Sequence, residues 1–129
     1  MVLAIDTSNR FKIKLALYWP EKMSQKLEFK SKEKSQTLLL RINRVLTENK
    51  VKLTDLKLIA VNSGPGSFTG LRVGATVANT LAYVLKIPVI GIKNQPNILK
   101  LAKLSFQQFK KGKIKPNSKA EPFYDTGII

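Results

Sequence analysis

One glycine-rich segment constrains this chain more than any other feature. The run Asn62-Ser63-Gly64-Pro65-Gly66-Ser67-Phe68-Thr69-Gly70-Leu71-Arg72-Val73-Gly74 separates an apolar strand pattern at Leu58–Val61 from a helix pattern that continues to Leu85. A strand that turns sharply into a helix leaves the first backbone N–H groups of that helix without partners inside it. Such a corner either holds an anion or forms a rigid docking surface, and the function depends on which of the two it does.

Length and composition predict one domain with a genuine core. The chain has 129 residues, of which 43% are hydrophobic, and this length is typical of a single domain. It contains no cysteine and no histidine, which argues against disulfides and against zinc or transition-metal sites. Nucleophile pairs of the Ser-His or Cys-His type are excluded for the same reason. We therefore expect neither a metal nor a cofactor.

The apolar runs and the N-terminal segment predict a cytoplasmic protein. No apolar run in the sequence approaches the length of about 18 residues that spans a membrane. The segment Met1–Asp6 lacks the basic region with which a signal peptide begins.

The chain is strongly basic, with 23 Lys and Arg residues against 8 Asp and Glu and a formal net charge of +15. Such a charge favours nucleic acid or an acidic protein face as a partner, although a surface that is merely rich in lysine would give the same count. Arginine, which usually reads base edges, is scarce here, so any nucleic-acid contact should be to backbone phosphates. The candidate phosphate contacts are Lys110, Lys111, Lys113 and Lys115.

The hydrophobic periodicity predicts the element order β-β-β-α-β-α-β-α. Strands are predicted at Val2–Ile5, Phe11–Trp19, Met23–Phe29, Leu58–Val61 and Pro88–Ile92, and helices from an N-cap at Ser35, from Thr69 to Lys86, and from Asn97 to Phe109. Right-handed crossovers make the last two strands parallel to the first. The expected fold is an α/β, ribonuclease H-like domain (an actin-like ATPase lobe) over residues 1–109, with a mixed five-stranded sheet, helices on both faces, and a basic tail at residues 110–129.

The second predicted helix has faces of different chemistry. Small residues recur every four positions along one line and would let another backbone approach closely; they are Gly70, Gly74, Ala78 and Ala82. A polar strip with a single charge follows another line, formed by Arg72, Thr76, Asn79 and Tyr83. A surface helix usually carries several charges, so we expect the chain's own sheet on one side of this helix and a second chain on another. Burial within its own small domain is the alternative.

Four segments match the pattern of one known family: Leu3–Ser8, Lys34–Leu39, Ala60–Gly74 and Ile87–Ile92. Through them the chain resembles the TsaB (YeaZ) family from Met1 to about Leu101. Lys34 stands where the family usually has a histidine, which argues against a role for that side chain. The family usually has a second half-domain, so the resemblance implies a shortened form that lacks most of the second lobe.

The resemblance implies a role in making threonylcarbamoyladenosine in tRNA. In that system a TsaD-like subunit holds the metal and transfers the threonylcarbamoyl group, a TsaB protein is its non-catalytic dimerisation partner, and a TsaE-like ATPase joins the pair. Contact with tRNA would be indirect or through the lysines, and the isolated chain would form a homodimer. The resemblance places the interface on the first two helices, at Leu38, Ile42, Val45, Ser67, Phe68, Gly70, Arg72, Gly74, Thr76, Ala78, Asn79 and Tyr83.

Other functions remain open or are disfavoured. The main alternative is a small basic RNA-binding module with a ribonuclease H-like fold. An ATPase is disfavoured, because the Asp6-Thr7-Ser8 turn lacks the glycine that actin-like ATPases need for phosphate approach and the glycine-rich run lacks the Lys-Ser/Thr ending of a P-loop. A two-metal nuclease needs several converging carboxylates, whereas we expect Asp6 to bond turn amides. Either Ser67 or Thr69 is expected to cap the second helix.

Overall fold

Five strands form one mixed sheet in the computed structural model of the chain, which describes residues 1–21, 24–31 and 34–112, the side chains of residues 34 and 35 excepted. The strands are β1 (Val2–Asp6), β2 (Lys12–Tyr18), β3 (Gln25–Lys30), β4 (Leu58–Gly64) and β5 (Val89–Lys93). Their order in the sheet is β3-β2-β1-β4-β5. The first three strands pair antiparallel, and β4 pairs parallel with both β1 and β5. The predicted fold class and element order are confirmed.

Three α-helices cover the two faces of the sheet: α1 (Lys34–Glu48), α2 (Phe68–Leu85) and α3 (Ile98–Lys110). A short 3₁₀ turn, Leu53–Asp55, precedes β4. Because α1 begins at Lys34, Ser35 lies within its first turn, and the prediction of an N-cap at Ser35 was wrong. Ser67 caps α2 and Asn97 caps α3, each by accepting a hydrogen bond from a backbone N–H group three residues further on.

The alternation of side chains along the strands separates two cores. On one face, α1 and α2 pack over large apolar residues such as Leu3, Ile5 and Leu15. On the other face, α3 packs over a row of small residues that includes Ala4, Ala16 and Ala60. Small side chains at the centre of this second face let the backbone of α3 approach the sheet closely. The sheet therefore separates a surface made by two helices from a surface made by one.

The strand β4 is longer than the sequence pattern predicts, and this extension forms the glycine-rich corner. Its last residues are polar, but parallel pairing with β5 continues through Gly64 and Lys93. The side chain of Asn62 accepts a hydrogen bond from the N–H of Gly64 at 2.8 Å, and the N–H of Asn94 donates to the carbonyl of Gly64 at 2.8 Å. Hydrogen bonds, and not the burial of apolar side chains, hold the last residues of β4 in the sheet. The hydrophobic pattern in the sequence therefore ends before the strand does.

Two predicted features fall partly outside the described residues. The predicted third strand included Met23, which is not described, and the observed β3 begins at Gln25. The predicted tail continues beyond Gly112, after which nothing is described, so Lys113 and Lys115 lie outside the described residues. Within the part of the chain that is described, no helix has both the length and the apolar character needed to cross a membrane.

Candidate functional site

The carboxyl ends of β1 and β4 meet the first turn of α2 at a single corner. The N–H of Ser67 donates to the carbonyl of Ser8 at 2.8 Å, which ties the glycine-rich turn to the turn after β1. The hydroxyl of Thr7 donates to the carbonyl of Gly70 at 2.6 Å, inside the fold. The amide of Asn62 lies 3.3 Å from the hydroxyl of Ser8. The backbone bond between the two turns and the side-chain bond from Thr7 thus hold the start of α2 against the end of β1.

Asp6 serves this corner as a hydrogen-bond acceptor. Its carboxylate accepts the N–H of Ser8 at 2.9 Å and the hydroxyl of Ser8 at 2.6 Å, and the residue is buried. The prediction that Asp6 bonds turn groups is confirmed. Within the described ranges, no three His, Cys, Asp or Glu side chains gather as the ligands of a metal ion would.

The line of small residues on α2 faces the chain's own sheet. A Cβ atom at Gly70 would collide with the backbone carbonyl of Thr7, and one at Gly74 would collide with the hydroxyl of Thr7. The backbone that approaches this line closely is therefore that of the turn after β1. A substitution at Gly74 would test the packing of the domain and would say little about a partner.

Six of the predicted interface residues are buried within the domain and need correction. They are Leu38, Ile42, Val45, Gly70, Gly74 and Ala78. The first three form the inner stripe of α1, where they pack over the sheet, and the other three form the line of small residues on α2. Their apolar or small character reflects packing on the sheet, so the alternative of burial within the domain holds for them and they offer no surface to a second chain.

The other six predicted interface residues lie at the surface, and their contact with a partner stays a prediction. Ser67 and Asn79 are half-buried, whereas Phe68, Arg72, Thr76 and Tyr83 are exposed. The guanidinium of Arg72 lies 5.7 Å from the centre of the Phe68 ring, within the range of a cation–π contact. These two residues, with Thr69, Val73, Thr76 and Val77, line a shallow groove of about 390 Å³ along the first half of α2.

Exposed apolar side chains concentrate on the two helices that share one face of the sheet. Of the nine large hydrophobic residues that are exposed in the described chain, five lie on α1 and α2. We call these five the α1–α2 surface: Leu39, Leu40, Phe68, Tyr83 and Val84. Tyr83 is 85% exposed and Val84 is 68% exposed. Such a concentration on neighbouring helices is typical of a surface that another protein covers.

Sequence analysis missed three members of this surface. Leu39 and Leu40 follow the buried Leu38, and three consecutive leucines cannot share one face of a helix because successive residues are about 100° apart. This spacing is the sequence signal that at least one of the three leucines must point away from the core. Val84 belongs by spacing to the apolar side of α2, together with the half-buried Val73 and Val77, yet it is exposed. Of the predicted phosphate contacts, Lys110 and Lys111 are exposed at the end of α3.

Comparisons with known proteins agree with this fold. The family model "TsaD: tRNA N6-adenosine threonylcarbamoyltransferase" matches residues 28–109. The tRNA threonylcarbamoyladenosine biosynthesis protein TsaB of Buchnera aphidicola (subspecies Schizaphis graminum) is 35% identical over 88% of this chain and 52% of its own length. The TsaB protein of Escherichia coli K12 is 35% identical over 70% of this chain and 39% of its own length. The chain belongs to the TsaB (YeaZ) family.

Solved structures support the same assignment. YeaZ from Pseudomonas aeruginosa is 29% identical, with a TM-score of 0.67 over 87% of this chain and 51% of its own. The chain spans about half the length, or less, of the curated TsaB relatives that it matches. Thermus thermophilus RuvC, solved with a Holliday junction substrate, aligns over 88% of this chain and 97% of its own with a TM-score of 0.63 and 13% identity. That likeness shows the ribonuclease H-like fold alone.

Proposed function

We propose that this TsaB-family chain acts in tRNA threonylcarbamoyladenosine biosynthesis as a scaffold that binds a TsaD-like catalytic subunit through its α1–α2 surface. The names of the curated relatives support the pathway. In this proposal the transfer chemistry belongs to the partner. The corner formed by Asp6, Thr7 and Gly70 serves to orient α2, because its polar groups are engaged with one another.

The observation that carries the proposal is the chemistry of the outward side of α2. Only one of the eighteen residues from Phe68 to Leu85 is charged, namely Arg72. The helix nevertheless exposes Tyr83 and Val84 at its end and the ring of Phe68 at its start. Aromatic residues and arginine are the residue types that dominate binding energy at protein interfaces. A helix exposed only to water would be expected to carry more charges along this side.

A partner of the TsaD type suits this surface because the two proteins share the helices concerned. The matching TsaD model covers residues 28–109, a range that contains both α1 and α2. A TsaD-like subunit would therefore present an equivalent pair of helices. Two related helix pairs can meet across an approximate two-fold axis, which is the commonest way for similar surfaces to associate.

The test compares two double variants that each add two positive charges. One carries Tyr83→Lys and Val84→Lys on α2; the control carries Leu104→Lys and Phe109→Lys on α3, where both side chains are also exposed. Complex formation with the TsaD-like protein of the same genome is measured by size-exclusion chromatography with light scattering. We expect the control to bind like the unmodified chain. The α2 variant should bind at least about 30-fold more weakly, since a hot-spot residue contributes about 2 kcal/mol or more.

The same experiment addresses homodimerisation, which we propose for the isolated chain through the same surface. If the chain alone elutes as a dimer, the α2 variant should elute as a monomer. A folded α2 variant that still binds the TsaD-like protein with unchanged affinity would contradict the proposed docking surface. Folding of each variant is checked by circular dichroism, which matters most for the control, because Leu104 and Phe109 are only 39% and 37% exposed.

A further inference from the structure

The face of the sheet opposite the α1–α2 surface carries a cluster of lysines near its β3 edge. Cross-strand partners point to the same side of a sheet, and Ala4, which lies under α3, pairs with Ala16. Ala16 pairs with Lys26, and the alternation along β2 and β3 then places the charged residues of both strands on this side. We call the set the basic sheet face: Lys12, Lys14, Lys26, Glu28 and Lys30.

Within the described part of the chain, α3 packs over the other four strands of this face and leaves its β3 edge open. The core beneath α3 contains residues of β1, β2, β4 and β5 and none of β3 among the described residues. Lys26, Glu28 and Lys30 on β3 are exposed, and Lys12 and Lys14 on β2 are half-buried. The Nζ atom of Lys14 lies 3.5 Å from the carbonyl oxygen of Pro96, just before α3. The lysines thus form a strip that runs along the open edge beside the helix.

The charges on this strip are poorly balanced within the chain. Lys12 stands directly opposite Lys30, and like charges in that position destabilise a sheet. Glu28 forms an ion pair with Lys12 at 2.9 Å and stands directly opposite Lys14, so among the described residues of the face a single carboxylate offsets four lysines. Residues two apart on a strand are separated by about 6.8 Å, which is shorter than the Debye length of about 8 Å at physiological salt. Mutual repulsion among these lysines is therefore only partly screened, and a bound polyanion would relieve it.

We propose that the basic sheet face binds the phosphate backbone of RNA without reading its sequence. Lysine binds phosphate oxygens as a compact point charge, whereas arginine is the side chain that most often reads base edges. All four cations of the face are lysines. An extended strip of single charges matches a chain of phosphates. The choice of RNA rests on the proposed function, whereas the choice of phosphate rests on the lysines themselves. The chain would then hold a protein on one side of its sheet and RNA on the other.

The first test removes two charges from the face and two from elsewhere. The face variant is Lys26→Gln with Lys30→Gln, and the control is Lys52→Gln with Lys57→Gln, all four side chains being exposed. Binding of a fluorescent tRNA transcript and of a hairpin RNA of unrelated sequence is measured by anisotropy at several salt concentrations. For the face variant, the slope of log Kobs against log salt should fall in magnitude by about 2, and equally for both RNAs. The control should keep the slope of the unmodified chain.

The second test removes an acid and predicts a gain. Glu28 and Glu48 are both exposed and both ion-paired, at 2.9 Å with Lys12 and at 2.8 Å with Arg44. Glu28→Gln should tighten RNA binding and steepen the salt slope by about 1, because Lys12 becomes available to a phosphate. The matched control Glu48→Gln makes the same change in net charge away from the face, and its affinity for RNA should not change.

Several results would overturn the proposal. One is an equal loss of binding in the face variant and its control, which would show that total charge alone matters. Another is wild-type binding by the face variant, which would place the contact in the tail. Displacement of the RNA by polyglutamate as readily as by unlabelled RNA would indicate an acidic protein as the partner.

A footprint on the unmodified chain keeps the proposal testable if the face variant does not fold. Bound RNA should protect Lys26 and Lys30 from acetylation but should leave Lys52 and Lys57 reactive. Equal protection at both pairs would count against the proposal. The docking variant on α2 should still bind RNA, and the face variant should still bind the TsaD-like protein. The two proposals can therefore fail separately.

Discussion

The contact between Thr7 and Gly74 should couple the turn after β1 to α2 in a measurable way. A Cβ atom at Gly74 would overlap the hydroxyl of Thr7, and its next neighbours are the Cγ2 atom of Val61 at 3.4 Å and the Cβ atom of Thr7 at 3.5 Å. Replacing Gly74 with alanine should favour the helix by about 1 kcal/mol. Overpacking against the hydroxyl should disfavour the fold by about 1 to 3 kcal/mol. We expect Gly74→Ala to destabilise the protein by about 1 kcal/mol.

The companion substitution Thr7→Ala removes the obstacle. Alone it should destabilise the fold by about 2 kcal/mol, because the hydrogen bond to the carbonyl of Gly70 at 2.6 Å and a buried methyl group are both lost. In that background the new methyl group at Gly74 has only ordinary contacts. Gly74→Ala should then stabilise the protein by about 1 kcal/mol through helix propensity alone. The coupling between the two sites is therefore about 2 kcal/mol.

Urea unfolding of the four proteins in the double-mutant cycle, followed by circular dichroism, measures this coupling. The double variant should be more stable than Thr7→Ala alone. Single effects that add to within about 0.5 kcal/mol would refute the reasoning, since additivity is what independent sites show. It would mean that the line of small residues on α2 does not pack on the turn after β1.

Two further predictions concern local bonds. Ser67→Ala removes the helix cap, in which the serine hydroxyl accepts a hydrogen bond from the N–H of Gly70 at 3.3 Å. This variant should lower the free energy of unfolding by about 1 kcal/mol and the melting temperature by about 4 °C. The control Ser67→Asp should retain the cap and the stability. The hydrogen bond from Lys12 holds the pKa of Glu28 below its usual range. The ion pair therefore stabilises the folded state at any pH above the pKa that the carboxyl has in the unfolded chain. This stabilisation is lost as the pH falls through the pKa of the folded state. Chemical unfolding from neutral to acidic pH should show this small acid-side loss in the unmodified chain and not in Glu28→Gln; identical profiles would contradict the assignment.

Periodicity predicted most of the fold because the helices and β2 each have one predominantly apolar side, whereas β1 and the start of β4 are buried on both faces and form continuous apolar runs. The alternation in β2 and the spacing of Leu38, Ile42 and Val45 in α1 identify their buried faces without ambiguity. The end of β4 could not be predicted in the same way, because Asn62 and Ser63 are polar but buried, and Asn62 is held by side-chain hydrogen bonds to Ser8 and Gly64. Such bonds depend on neighbouring turns that are distant in sequence.

The site was harder to predict because burial within the domain and burial by a partner leave the same pattern in a sequence. Small residues at Gly70 and Gly74 indicate a close backbone approach, but nothing in the pattern identifies which backbone approaches. The structure assigns that approach to Thr7, which places Gly70 and Gly74 in the core. The inner stripe of α1 is buried separately, by packing over the sheet. The basic sheet face was hidden for a related reason, since strand register and the position of α3 decide which lysines lie together.

The central claim is that the outward side of α2 contacts a TsaD-like protein, and photo-cross-linking tests it most directly. A benzophenone side chain is placed at Tyr83 on α2 or, as a control, at Leu104 on α3; both positions are exposed. Irradiation of a mixture with the TsaD-like protein should give a cross-linked heterodimer from position 83 and none from position 104. Cross-linking from position 104 alone, or from both positions to an equal extent, would contradict the claim.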